Sequence, residues 1–207
     1  MFLHYSPFWL KLLYSSYLWR VPTQEKKLYL TFDDGPIPDV TEFVLDTLQQ
    51  FKAHATFFCI GDNVRKYPAI FEKILQGRHS VGNHTYNHLN GWKTNDETYL
   101  ANIDQCTRQL NTHTTLFRPP YGRIKPSQAK AVSIDKKIVM WDVLSGDYSP
   151  DVSPEKCLRK TIRYAKKGSI ILFHDSLKAQ HNLRYALPRV LGHFGAAGYQ
   201  FEVLPMW

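Results

Sequence analysis

Residues 29–36, Tyr29-Leu30-Thr31-Phe32-Asp33-Asp34-Gly35-Pro36, are an alternating run that stops in two adjacent carboxylates and a Gly-Pro turn. Tyr, Thr and Phe in alternation read as a strand entering a core, and the turn residues end it. Two acids therefore stand at a strand's carboxyl end, the edge where α/β folds place their ligands. Paired acids there serve metal binding, proton transfer or one of each. A turn that uses Asp and Gly only because they tolerate it is the plain alternative.

Outward from this strand the periodicity alternates. Helical spacing over residues 39–51 precedes a buried strand over 55–60. A helix over 68–76, stopped by Gly77, leads to a strand over 80–83 that runs into His84-Thr85-Tyr86-Asn87-His88. A helix over 96–110 and a strand over 115–117 follow, and Pro119 and Pro120 forbid the strand's continuation. Then come a helix over 127–133, a strand over 137–141, a loop over 142–153 and a helix over 154–165. A strand over 170–173, a helix over 184–194 and a strand over 201–204 close the chain. Strand and helix in alternation predict a parallel sheet with crossover helices, as a barrel or an open sheet. The polar clusters after the first, third, fourth, fifth and sixth strands all lie at carboxyl ends, which a parallel barrel gathers on one face.

With 207 residues, one compact domain is expected, and 43% hydrophobic residues supply a core. The formal charge of +8 suits an anionic partner, yet no basic run exceeds a pair such as Lys26-Lys27. A solvated basic surface without nucleic-acid binding is the expectation. Cys59, Cys106 and Cys157 lie far apart and form no Cys-x-x-Cys pair, which favours a reducing compartment over a disulfide framework or a thiolate metal site. Residues 2–18 are rich in aromatics and leucine, but Pro7, Lys11 and Ser15-Ser16 interrupt them and no small-residue cleavage site follows. The stretch is too short and broken to span a bilayer, so a cytoplasmic location is expected. Ser6-Pro7 predicts a helix over 7–18, in an extension (1–26) packed on a barrel domain (27–207). Docking on a membrane surface through Phe8, Trp9, Leu12 and Leu13 is the second reading of that helix.

His84 and His88, four apart, bring two imidazoles to one side, as two ligands of one metal require. An acid from the opening turn would complete a two-histidine, one-carboxylate face with open positions. On the residues alone, His174 serves as readily for a ligand as for an acid. His4, His54, His79, His113, His181 and His193 have no spacing partners and read as surface or core residues.

Five motifs in order then carry a resemblance: Thr31-Phe32-Asp33-Asp34-Gly35, His84 to His88, Arg118-Pro119-Pro120-Tyr121, Asp147-Tyr148 and Leu172-Phe173-His174. From Tyr29 onward the sequence resembles the NodB-homology polysaccharide deacetylases, carbohydrate esterase family four. The resemblance implies a distorted (β/α)7 barrel with its site at the strand carboxyl ends. It implies Asp34, His84 and His88 as ligands of one divalent metal, zinc first, with cobalt, manganese, nickel or iron as alternatives. It further implies Asp33 as base, paired with Arg118, the Tyr121 backbone N–H as oxyanion donor, and His174 as acid oriented by Asp147. Leu172, Tyr148 and Pro120 would touch substrate. The implied reaction is hydrolysis of an N-acyl group, acetyl first, from an amino sugar or polysaccharide. The alternatives are a formamide, a lipid-linked sugar or a small cytoplasmic amide at the same site.

Two positions depart from the family pattern. Leu144 stands where the fourth motif commonly has an acid, and Tyr148 replaces a tryptophan that walls the acetyl pocket. A smaller wall with an added hydroxyl bears on which acyl group is taken. Asp142 nearby reads as a strand-end cap, and Asp175 as a cap or loop residue as readily as a site residue. Trp92 reads equally as a sugar platform or as loop packing. Because every expected ligand, base and acid is present, a non-catalytic glycan-binding role on the same barrel is disfavoured.

Overall fold

A computed structural model describes residues 3–206. Positions 1, 2 and 207, including the start of the apolar stretch noted above, lie outside the described residues. The strands are β1 (Lys27–Asp33), β2 (Ala55–Cys59), β3 (Ser80–Asn83), β4 (Leu116–Phe117), β5 (Lys137–Ile138), β6 (Val143–Leu144), β7 (Ile170–His174) and β8 (Gln200–Phe201). They pair in the order β5-β4-β3-β2-β1-β7-β6, with β8 beside the start of β1, and every pairing between them is parallel. Between them run α1 (Phe8–Leu13), α2 (Val40–Gln50), α3 (Gly61–Lys66), α4 (Pro68–Gln76), α5 (Asp96–Leu110), α6 (Pro126–Val132), α7 (Pro154–Tyr164) and α8 (Gln180–Ala196). The sheet curls into the distorted α/β barrel that the alternation and the motifs predict.

β1 is central and buried on both faces, as a parallel strand covered by crossover helices must be. Its side chains divide by the period of two. Leu28, Leu30 and Phe32 pack with Val44 and Leu48 of α2 and Leu183 and Leu187 of α8 in the outer core. Tyr29 points the other way, into a second cluster with Phe58, Leu116, Val139 and Ile170. Thr31 and Asp33 share that inner face, so the last interior position of the strand is a carboxylate.

The amino-terminal chain occupies the gap between the sheet's two edges. Leu18 N–H donates to Ile138 O at 2.8 Å, and Leu18 O accepts from Met140 N–H at 2.8 Å. At the other edge, Ser6 N–H donates to Asp142 O and Leu144 N–H to His4 O, each at 3.0 Å. Backbone groups that edge strands would leave unpaired are thereby satisfied. The helix within this segment is six residues long rather than the twelve expected over 7–18, and it buries no residue.

Other elements also differ from the sequence reading, α8 (Gln180–Ala196) and β8 (Gln200–Phe201) among them in their bounds, and three differences bear on the sheet's edges and the site. β6 falls within the stretch expected to be loop, because two residues carry no readable alternation. α3, between β2 and α4, was not expected, since Gly-Asp-Asn-Val-Arg-Lys has a single apolar residue to set a period. β5 is cut to two residues because the chain beyond it pairs with Leu18 instead of continuing as an edge strand.

Candidate active site

Five polar clusters meet at the carboxyl ends of β1, β3, β4, β6 and β7. Asp147 follows β6, not the preceding strand as the sequence spacing suggested. Together they line a cavity of about 700 Å³ that holds Asp33, Asp34, His84, His88, Tyr121, Trp141, Leu144, Tyr148, Leu172 and His174. A second cavity, about 660 Å³, is lined by His54, His79, Lys52 and Arg78. His54 and His79 immediately precede β2 and β3, so it opens at the strands' amino ends, away from the paired acids.

Ligand atoms of Asp34, His84 and His88 all lie within 4.8 Å of one another. His88 Nε2 stands 3.3 Å and His84 Nε2 3.8 Å from Asp34 Oδ1. His84 Nδ1 is 2.8 Å from the Arg118 carbonyl oxygen, which only accepts, so Nδ1 carries the hydrogen and Nε2 presents its lone pair. Burial lowers the pKa of both imidazoles, and His88 lowers that of His84 further. Both rings are therefore neutral near pH 7, as metal ligands must be. The donor set, two neutral imidazoles and one carboxylate converging on one point, fits a divalent ion.

Strain gathers at the same place. Asp34, Thr85, His88 and Tyr121 have φ of 86°, 61°, 55° and 61°, a region that side chains other than glycine seldom occupy. For Asp34, the surrounding bonds hold it there: Asn63 Nδ2 donates to Asp34 O at 2.7 Å and Ile60 N–H to Gly35 O at 3.0 Å. Gly35 N–H donates to Asp175 Oδ1 at 3.0 Å, and Thr41 Oγ1 to Asp175 Oδ2 at 2.6 Å. A side chain at Gly35 would overlap Asp175, with Cβ only 1.9 Å from Oδ2. Asp175 is thus the brace behind the Asp34 turn, and Asn63 is a second brace that carries no sequence signal.

Asp33 is 3% exposed and is held from the other side. Arg118, fully buried, donates through Nη1 to Asp33 Oδ1 at 2.7 Å and to Thr31 Oγ1 at 2.8 Å. Its Nε and Nη2 donate to Val139 O and Met140 O, and its guanidinium lies 4.1 Å from the Phe58 ring centroid. Asp33 Oδ2, the second oxygen, faces the ligand cluster at 3.7 Å from His84 Nε2.

Across the cavity, Asp147 takes two bonds from one residue: His174 N–H to Oδ2 at 2.7 Å and His174 Nδ1 to Oδ1 at 2.9 Å. Asn182 ties the Asp147 carbonyl to α8 at 3.0 Å. Burial opposes a charge on His174, but the Asp147 charge and hydrogen bond, helped by Asp34 and Asp33, push its pKa up to about 9. Since Nδ1 is committed to Asp147 and His174 is not in the ligand cluster, the structure separates it from the metal set, which residue spacing left open.

Comparison with known proteins fits this geometry. The family model described as polysaccharide deacetylase matches residues 20–136. A peptidoglycan-N-acetylglucosamine deacetylase of Bacillus cereus is 35% identical over 190 residues, 88% of each chain. The chain belongs to the polysaccharide deacetylase family. It is a hydrolase of carbon–nitrogen bonds other than peptide bonds. A chitooligosaccharide deacetylase of Azorhizobium caulinodans is 34% identical over 166 residues, 75% of this deacetylase and 77% of that one. The crystal structure of a peptidoglycan N-acetylglucosamine deacetylase in complex with 4-naphthalen-1-yl-N-oxidanyl-benzamide superposes with TM-score 0.88 at 31% identity, covering 97% of this chain and 96% of that one.

Of the residues expected to touch substrate, Leu172 and Tyr148 line the deacetylase cavity. Pro120 is buried and instead begins the 3-10 turn, Pro120–Gly122, that carries Tyr121. Tyr148 packs edge-on against His174 with centroids 4.8 Å apart. Trp141, Ile37, Arg123, Leu177 and Lys178 also line the cavity, and no spacing rule marked them. Asp142 is taken up elsewhere: it accepts from Ser169 Oγ at 2.6 Å and pairs with Lys11.

Proposed function

We propose that this chain removes the N-acetyl group from N-acetylglucosamine units of a glycan, with Asp34, His84 and His88 holding a divalent metal, zinc first. The observation that carries this reading is the pair of proton-handling groups in one cavity, Asp33 and His174, each locked by its own buried partner. When bound, the metal would polarise the amide carbonyl and make a water easier to deprotonate. Asp33, oriented by Arg118, takes the proton of the attacking water through Oδ2, the oxygen Arg118 leaves open. The Tyr121 backbone N–H donates to the oxygen that becomes charged. His174 enters the reaction already protonated at neutral pH and gives its Nε2 proton to the departing nitrogen, since an amine leaves only once protonated. Asp147 holds the ring by Nδ1 and favours its charged form.

Trp141, Leu144, Tyr148 and Leu172 supply an apolar wall, which suits a methyl better than the hydrogen of a formyl group. Purified protein should release acetate from N-acetylglucosamine oligomers and from peptidoglycan, and a chelator should abolish the release. Formate release from N-formyl sugars at an equal rate would overturn the assignment of the acyl group. Full activity of Asp33→Asn would overturn the assignment of the base.

The buried, unpaired Cys59, Cys106 and Cys157 need no oxidising compartment, whereas a wall polymer lies outside the membrane. Fractionation of cells separates these locations. No described helix is long and apolar enough to cross a membrane. α1 nevertheless exposes Phe8 (77%), Trp9 (60%), Leu12 (68%) and Leu13 (68%). Close by, the Tyr5 ring meets Tyr164, which Lys160 and Arg163 flank. Apolar rings beside cations suit an anionic lipid surface. The protein should float with phosphatidylglycerol vesicles, and Phe8→Ser with Leu12→Ser should abolish it.

A further inference from the structure

Trp92 sits in a short 3-10 turn, Gly91–Lys93, just beyond the second ligand histidine, and is 60% exposed. It is exposed but not loose. The indole Nε1–H donates to Ile124 O at 3.2 Å, and the backbone N–H to Asn90 Oδ1 at 3.0 Å. Gly91 N–H donates to Arg123 O at 3.2 Å, and buried Gln128 donates to Gly91 O at 3.1 Å. The turn is therefore stitched to the 123–128 segment on several sides.

The ring's only polar hydrogen is already used, so what Trp92 offers outward is flat apolar surface. A packing role would bury that surface, and a hydrogen-bonding role would leave the N–H open. Neither holds here. The ring lies beside the catalytic cavity: Arg123, whose guanidinium is 5.0 Å from the Trp92 centroid, lines that cavity together with Gly122 and Tyr121. Tyr121, 61% exposed, packs at a tilt against His88 with centroids 4.6 Å apart. From the metal ligand outward, the wall thus runs His88, Tyr121, Arg123, Trp92. A rigid aromatic face at the end of such a wall matches the C–H face of a pyranose, and its fixed rotamer avoids the ordering cost that a mobile side chain would bring.

We propose that Trp92, backed by Arg123, is a subsite for a sugar ring neighbouring the one that is deacetylated, so that the chain selects oligosaccharides over single amino sugars. The substrate class rests on the deacetylase reading above; the subsite is tested by binding, which does not require turnover. Isothermal titration compares N-acetylglucosamine with its tetramer in an Asp33→Asn background, with and without Trp92→Ala or Trp92→Phe. The tetramer should bind the parent more tightly than the monosaccharide. Trp92→Ala should lose about tenfold in tetramer affinity, the scale of one aromatic contact, and under about twofold for the monosaccharide. Trp92→Phe, which keeps a ring but not the N–H, should retain most of the preference. Tetramer binding no tighter than monosaccharide binding in the parent overturns the proposal. So does a Trp92→Ala loss that is absent or equal for both ligands, since an equal loss reports a disturbed loop. Acetate release by the parent sequence is scored separately: its absence, with the Trp92-dependent preference intact, removes the deacetylase reading alone.

Discussion

Replacing Arg118 by methionine removes the hinge pin of the site. Arg118 is fully buried at the carboxyl end of β4 and ties three parts of the barrel interior together. It bonds Thr31 and Asp33 on β1 and the carbonyls of Val139 and Met140 beyond β5. Methionine keeps most of the volume and strands every acceptor. The Asp33 carboxylate, 3% exposed, is left without its cation. Breaking a buried pair from one side costs about 3–5 kcal/mol, because the remaining charge is uncompensated. For a chain of this size, 1 kcal/mol moves the melting temperature by roughly 2–4 °C, so a fall of about 6–20 °C is expected. Adding Asp33→Asn removes the stranded charge and should return at least about 1.5 kcal/mol, a coupling that neighbours in one network show. Urea unfolding of the four proteins in the cycle measures it. A loss under about 1 kcal/mol for Arg118→Met, or strict additivity with Asp33→Asn, would refute the pairing argument.

The His174–Asp147 pair sets a pH dependence. With the folded pKa raised to about 9 against about 6.5 unfolded, the stabilisation is complete below pH ~6.5 and is lost as pH rises through 9. The stability gap between wild type and Asp147→Asn should therefore shrink over that window by on the order of 3 kcal/mol; a flat gap contradicts the coupling. Asp34→Ala should reduce bound metal from about one ion per chain to a small fraction, measured by atomic emission, with the fold kept by circular dichroism. Because His84 and His88 must shed protons to serve as ligands, metal affinity in wild type should weaken as pH falls. Gly35→Ala should cost at least about 1–3 kcal/mol by overlap with Asp175. Combining it with Asp175→Ala, which removes the atoms struck, should make the added cost of Gly35→Ala small.

Much of the barrel was legible because the apolar periods of α2, α4, α5 and α7 and the runs at β1, β2 and β7 are long enough to read. The elements that escaped are short: β6 has two residues, and α3 one apolar position. Their existence depends on partners. β6 is a strand because β7 lies on one side and residues 4–6 on the other. β5 ends early for the converse reason, Leu18 having taken its edge.

The sequence by itself determined the chemical inventory: a doubled acid after a strand, two histidines four apart, a buried-strand arginine and a late histidine. These are local patterns, each set by neighbours within a few residues along the chain. The family resemblance implied how that inventory divides, but only the tertiary structure supplies the physical reason. Asp33 and Asp34 are chemically identical and adjacent, and no local rule tells them apart. They differ because the strand's period of two turns Asp33 inward onto Arg118, while Asp34, forced to φ 86°, turns toward His84 and His88. Likewise His174 is separated from the metal set by Asp147, 27 positions away. Asp175, which by sequence reads as a cap or loop residue as readily as a site residue, braces Gly35 from a distance of 140 positions. Contacts of that span arise only when the sheet closes its strands side by side, and they give like residues unlike charges, partners and tasks.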